Sequence, residues 1–115
     1  MTPDRLNRPL TVRAAVLALL LSVSAGAAAC GSRPVTHTVT IDSTTFQPGD
    51  LTVNAGDTIV WINKDLFPHT ATSGGLFDSG SIAPNQSWQY TPSEPGEFDY
   101  VCSFHPTMKG RLSVK

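Results

Sequence analysis

The chain has 115 residues and a formal net charge of −1, from eight Lys and Arg against nine Asp and Glu. That length leaves room for one small domain and no more. No basic cluster stands out, which argues against a nucleic-acid partner.

Residues 1–29 differ from everything after them. Arg5, Arg8 and Arg13 give a positive start against Asp4 alone, and an apolar run follows from Ala14 to Ala29, ending in Ala25-Gly26-Ala27-Ala28-Ala29. That order of basic, apolar and small-residue regions predicts a secretory signal. The alternative is a transmembrane anchor, but a spanning helix needs about 20 apolar residues and this run is shorter. Cys30 follows directly and resembles the lipidated cysteine of bacterial lipoprotein signals, although Ala27 stands where Leu is usual. Lipidation of Cys30 is therefore expected, with simple cleavage nearby as the alternative. A diacyl anchor would hold the protein firmly at a membrane. The expectation is an exported protein, periplasmic or at the cell surface, tethered through Cys30. A Cys30–Cys102 disulfide is the competing use of the two cysteines. It would consume a thiol that has a better use below.

Residues 30–34 read as a tether and residues 35–115 as the domain. From Cys30 onward five basic residues face eight acidic ones, a net charge of −3. Val35, His37, Val39 and Ile41 alternate with Thr36, Thr38 and Thr40, as in a half-buried strand. Phe46 to Asp50 carries a Pro48-Gly49 turn signal. Leu51-Thr52-Val53 is a short strand, and Asp57 to Asn63, rich in β-branched and aromatic residues, is the central core strand. Lys64 to Gly75 is a loop region with a short extended piece near His69 to Thr72. Ser81-Ile82-Ala83 precedes a turn at Pro84-Asn85. Ser87 to Thr91, Glu97 to Cys102 and Arg111 to Lys115 complete the strands. No segment shows a helical stripe. Seven or eight short strands between Gly and Pro turns predict an all-β sandwich of two sheets.

The chemistry concentrates in Cys102-Ser-Phe-His105-Pro-Thr-Met108, a Cys and a His three apart with a Met three beyond. Such a loop can aim thiolate, imidazole and thioether at one point, and His69, after Pro68 in the earlier loop, is the fourth candidate. Soft sulfur donors with imidazoles suit copper, and two His and one Cys with a weak axial Met is a type 1 electron-transfer arrangement. Zinc is the rival metal, but structural zinc sites prefer four Cys or His donors. Each residue alone also has an ordinary reading: Cys102 as a small buried hydrophobe, Met108 as core filler. Four together at compatible positions are harder to dismiss. His37, inside the first strand with no donor neighbours, is expected to be no ligand.

The segments Phe46 to Thr70, Pro95 to Gly110 and the closing Arg-Leu-Ser-Val-Lys resemble the cupredoxins, and within them the amicyanin and plastocyanin group; the short Cys-x-x-His-x-x-Met loop is similar to that of amicyanins. The resemblance implies a Greek-key β-sandwich binding one copper ion that alternates between Cu(I) and Cu(II). It implies that His105 is the partly exposed ligand through which electrons pass. It also implies an apolar collar including Phe67, Pro68, Phe104 and Pro106, suited to transient docking with a redox donor and acceptor. Phe67 and Phe104 could equally be core. Many relatives carry Asn directly after the first His ligand; here that residue is Thr70, with shorter reach and less bonding capacity.

The function expected is a one-electron carrier outside the cytoplasm, a monomer and not an enzyme. The alternative is copper storage or delivery, which favours Met- or His-rich sites that this chain lacks. A copper enzyme would need a second site with further His ligands, and His37 alone cannot supply one.

Overall fold

The computed structural model describes residues 31–115. The expected signal sequence and the lipidation of Cys30 lie outside the described residues. Nine strands run in chain order: β1 (Thr36–Asp42), β2 (Thr45–Gln47), β3 (Asp50–Val53), β4 (Thr58–Asn63), β5 (Thr72–Ser73), β6 (Phe77–Asp78), β7 (Ser87–Tyr90), β8 (Gly96–Val101) and β9 (Lys109–Val114). They form a four-stranded sheet in the order β2-β1-β4-β7 and a five-stranded sheet in the order β3-β9-β8-β5-β6. The β1–β4 and β3–β9 pairs are parallel and the other pairs antiparallel. The all-β sandwich expected from the sequence is the fold observed.

Two details differ from expectation. Phe46 lies in a strand, not in the turn around Pro48-Gly49. Its register opposite Ile41 carries it into the core, where its ring lies 4.6 Å from that of Tyr100. The Lys64 to Gly75 stretch contributes β5, which pairs with β6 across Gly74-Gly75. These two-residue strands take the count to nine, too short for period-two alternation to reveal them.

Alternation puts Val39 and Ile41 of β1 and Ile59 and Trp61 of β4 on the inner face of one sheet. Val53, Tyr100, Leu112 and Val114 face them from the other; all are buried. Trp61 joins the layers, with its ring 5.5 Å from Phe77 and Trp88 and 5.6 Å from Tyr100, edge to face in the last pair. Full burial of each large apolar side chain contributes about 1.5–3 kcal/mol. Tyr100 fits because its partner in the β8–β9 register is Gly110. A Cβ on Gly110 would collide with the Tyr100 ring.

The inward row of β4 ends in a polar residue, Asn63, which is fully buried. Its amide nitrogen donates to the carbonyls of Phe67 (2.7 Å) and Ile82 (2.9 Å), and its side-chain oxygen accepts the Asp65 N–H at 2.9 Å. An unpaired amide there would be destabilising, so the loop after β4 is held against the end of the sandwich. His69 and Ile82 exchange backbone hydrogen bonds in an isolated bridge. His69 is thereby fixed beside the end of β8, where Cys102 emerges.

Candidate metal centre

Cys102, His105 and Met108 share a loop whose spacing has a simple cause. The His105 N–H donates to the Cys102 carbonyl (3.2 Å), the Met108 N–H to the His105 carbonyl (2.8 Å), and the Cys102 N–H to the Met108 carbonyl (3.0 Å). Two consecutive four-residue turns that share His105 bring the side chains to one side of the loop between β8 and β9. Pro106 follows His105 and supplies no N–H to compete.

The Cys102 sulfur lies 3.7 Å from His69 Nδ1 and 3.8 Å from His105 Nδ1. The three donor atoms all lie within 4.8 Å of one another, and the two imidazole rings are 5.0 Å apart. Metal–nitrogen and metal–sulfur bonds of about 2.0 and 2.3 Å meeting near 120° would separate sulfur and nitrogen by about this much. The donor set therefore fits a single metal ion held between a thiolate and two imidazoles. Cys102, His69 and Met108 are buried, while His105 is half-buried. That burial difference makes His105 the ligand nearest solvent. His37 lies elsewhere: its Nε2 is 2.9 Å from the Asp57 carboxylate at the start of β4, the end of that strand remote from Asn63.

The buried His69 and Cys102 donors are each oriented by a neighbour. His69 Nε2 lies 2.8 Å from Asp65 Oδ2. With that nitrogen donating, Nδ1 keeps its lone pair for the metal. Asp65 also accepts the N–H groups of Ser43 (2.7 Å) and Thr44 (2.8 Å) in the β1–β2 turn. The Thr44 amide, followed by the Ser43 amide and His69, holds the Asp65 carboxyl below the usual carboxylate range. On the other flank, the Thr70 N–H donates to the Cys102 sulfur at 3.3 Å. The Thr70 hydroxyl accepts the Ser103 N–H at 2.7 Å.

The apolar residues expected around His105 are at the surface. Leu66 is 87% exposed, Phe67 68% and Phe104 52%, and Pro68 and Pro106 are exposed as well. Phe67 and Phe104 are therefore not core. Asp65, Thr72 and Ser103 were not singled out from the sequence. A carboxylate four residues before a candidate His ligand was the available signal for Asp65.

Comparison with known proteins agrees with this geometry. The sequence profile of the Cupredoxin-like domain matches residues 12–114. Amicyanin of Paracoccus denitrificans is 33% identical over 76 residues, covering 61% of this chain and 58% of that protein. Plastocyanin of Scenedesmus fuscus is 27% identical over 88 residues, covering 61% of this chain and 86% of that protein. The chain thus spans under two thirds of the length of the amicyanins it matches. Among solved structures, an oxidized amicyanin variant superposes with a TM-score of 0.67 and 29% identity, over 70% of this chain and 82% of that one. A copper-containing nitrite reductase from Thermus scotoductus gives the same TM-score at 28% identity, over 72% of this chain but only 23% of its own.

Proposed function

The chain belongs to the cupredoxin-like family, and on that premise we propose that it is a type 1 copper protein carrying single electrons between redox partners outside the cytoplasm. The observation that carries this reading is the approach of the Cys102 sulfur to two imidazole nitrogens at 3.7 and 3.8 Å, with Met108 buried in the same loop. Copper bound there supplies a one-electron couple, Cu(I)/Cu(II), in a ligand set suited to both states.

The chain's own residues do the rest. Cys102, His69 and His105 would hold the copper as strong donors, with the Met108 thioether as a weaker fourth. Asp65 keeps the His69 ring in one tautomer, and the Thr70 amide bonds the sulfur. With every position assigned to a protein donor, no site is left for a substrate, which favours electron carriage over catalysis. The copper nitrite reductase resembles this chain over under a quarter of its length, so the likeness is that of one domain. His105 is the ligand nearest solvent, and the exposed Phe67, Pro68, Phe104 and Pro106 are assigned to the collar at which a partner would dock and exchange electrons with it. An apolar collar of this kind suits small interfaces with fast release. Lipidation of Cys30 would keep the carrier at the membrane surface.

The test is the visible spectrum of residues 31–115 after addition of Cu(II), beside Cys102→Ser. An intense thiolate-to-copper band, bleached by reductant and absent from the variant, is the expected result. Folded, copper-loaded protein without that band would end the electron-transfer reading and bring copper delivery or zinc forward. Mass spectrometry of the exported protein tests the anchor: an N-terminal fragment beginning at unmodified Cys30, or after it, would exclude lipidation.

A further inference from the structure

We propose that Thr70, Thr72, Ser103 and Asp78 form a polarised hydroxyl chain that positions the Cys102 sulfur, with the Asp78 carboxylate as its terminal hydrogen-bond acceptor. The proposal rests on the type 1 copper reading and assigns the means by which this chain manages with Thr at position 70.

The two ligand-bearing segments are stitched together reciprocally. The Thr70 N–H points at the Cys102 sulfur (3.3 Å), and the Ser103 N–H points at the Thr70 hydroxyl oxygen (2.7 Å). An Asn side chain would bring a separate donor and acceptor to this task, whereas Thr has a single oxygen with one proton. Once that oxygen accepts from Ser103, its proton must go elsewhere. Three hydroxyls lie within reach of one another: Thr70 to Thr72 at 3.0 Å, Thr70 to Ser103 at 3.2 Å, and Ser103 to Thr72 at 3.1 Å. A closed cluster of three hydroxyls has no preferred proton order by itself. Asp78 breaks the tie, because its Oδ1 lies 3.1 Å from the Thr72 hydroxyl and a carboxylate only accepts.

Thr72 donates to Asp78, so it accepts from Ser103, and Ser103 in turn accepts the Thr70 proton: the chain runs from Thr70 through Ser103 and Thr72 to Asp78. Thr70 is left presenting a lone pair to the Ser103 N–H. Asp78 is held in place by accepting the Gly80 N–H at 2.9 Å and by pairing opposite Thr72 in the β5–β6 hairpin. Without that acceptor the Thr72 proton is free to turn back to Thr70, whose oxygen is then shared between the Thr72 hydroxyl and the Ser103 N–H. The short hairpin thus has a use: it carries the group that orders the cluster. Asp78 and Thr72 touch no ligand atom and act as positioning residues.

The experiment compares Thr70→Val, Thr70→Ser, Asp78→Ala and Asp78→Asn in residues 31–115. Amide hydrogen exchange at Thr70 and Ser103 is read in the metal-free protein, and the midpoint potential and visible band after copper loading. Thr70→Val is expected to speed Ser103 exchange by about tenfold, the equivalent of one hydrogen bond, and Thr70→Ser to restore it to within about twofold. Asp78→Ala should move both amides in the same direction by a smaller factor. Asp78→Asn should recover, because its carbonyl oxygen can still accept. In the copper-loaded protein, Thr70→Val should lower the potential, since a weakened N–H bond to sulfur leaves more charge on the thiolate and favours Cu(II).

Unchanged exchange and potential in Thr70→Val and Asp78→Ala would overturn the proposal. So would failure of Asp78→Asn to recover what Asp78→Ala loses. If Thr70→Val does not fold, the Asp78 pair decides alone, since that residue is exposed. If the unaltered protein shows no charge-transfer band, the copper reading fails separately, and the hydroxyl chain is judged on metal-free exchange.

Discussion

Asp65→Ala is the substitution that reaches furthest, because one carboxylate serves both the metal site and the β1–β2 turn. Ser43 and Thr44 both have positive φ, 52° and 58°, in a two-residue hairpin turn that ordinarily favours Asn-Gly. A β-branched residue such as Thr44 is strained there, and two N–H bonds to Asp65 hold it. Removing the carboxylate leaves His69 Nε2 buried without its acceptor, which costs about 1–3 kcal/mol. The turn amides lie at the surface, where water partly replaces the carboxylate, at about 0.5–1 kcal/mol each. The total is about 2–5 kcal/mol, or a fall of about 8–40 °C in melting temperature for a domain this small. Urea unfolding of the metal-free domain measures it, with Trp61 and Trp88 as reporters. Repeating the substitution on a Ser43→Asn, Thr44→Gly background should move the loss toward the His69 share, because a turn that favours positive φ by itself depends less on Asp65. In the loaded protein, copper should bind about 10–100-fold more weakly, the usual penalty for losing a ligand's outer partner. A loss below about 1 kcal/mol in the metal-free domain, with copper affinity unchanged, would refute the claim that Asp65 joins turn and site.

Gly110→Ala should destabilise the metal-free domain by about 1–3 kcal/mol in the same urea assay, because the added methyl collides with the buried Tyr100 ring. An unchanged midpoint would mean that β8 and β9 separate without penalty. Acid stability should depend on Asp57, whose carboxyl is held down to about 2 by the amides of Val35 and Asn54 and by His37. A depressed carboxylate contributes stability that is present above about pH 4 and lost as pH falls through about 2. Asp57→Asn should therefore flatten the pH dependence of unfolding in that window, and an unaltered slope would contradict the assignment. Placing Asp at both Phe67 and Phe104 should preserve the visible band but slow electron self-exchange at least about tenfold at low salt, because like charges then face each other across the contact. Line broadening in mixtures of oxidised and reduced protein reads the rate, and an unchanged value would move the electron port away from this collar.

What could be read from the sequence was what is local. Cys102, His105 and Met108 are legible because two tight turns fix their spacing, and the strand rows of β1 and β4 because alternation reports burial directly. Their buried residues Val39, Ile41, Ile59 and Trp61 lie where the pattern puts them. Phe46 was misplaced because Pro48-Gly49 is a strong local signal, while its core position comes from pairing with Ile41. The β1–β2 turn was silent for the opposite reason. Ser43-Thr44 carries none of the residues that favour positive φ, and what holds it is a carboxylate 22 residues away. Thr70 could be recognised as a departure from the family pattern. Its remedy could not, because Thr72, Asp78 and Ser103 are assembled by β5, β6 and the end of β8.

These distant partners share one placement. Asp65, Thr70 and Ser103 each lie within four residues of a candidate ligand, and each is bonded to another part of the sandwich: Asp65 to the β1–β2 turn, Thr70 to the loop after β8, and Ser103 to Thr72 of the β5–β6 hairpin. A ligand set drawn from two loops would by itself be free to follow the metal as its charge changes. Bonded at three points to strand pairs that bury the core, it has little freedom to do so. On the proposed copper reading, low reorganisation on electron transfer would come from the hydrogen bonds around the ligands as well as from the ligands themselves. It follows that substitutions in the β1–β2 turn or the β5–β6 hairpin, which touch no donor atom, should slow electron exchange more than their effect on copper affinity would suggest.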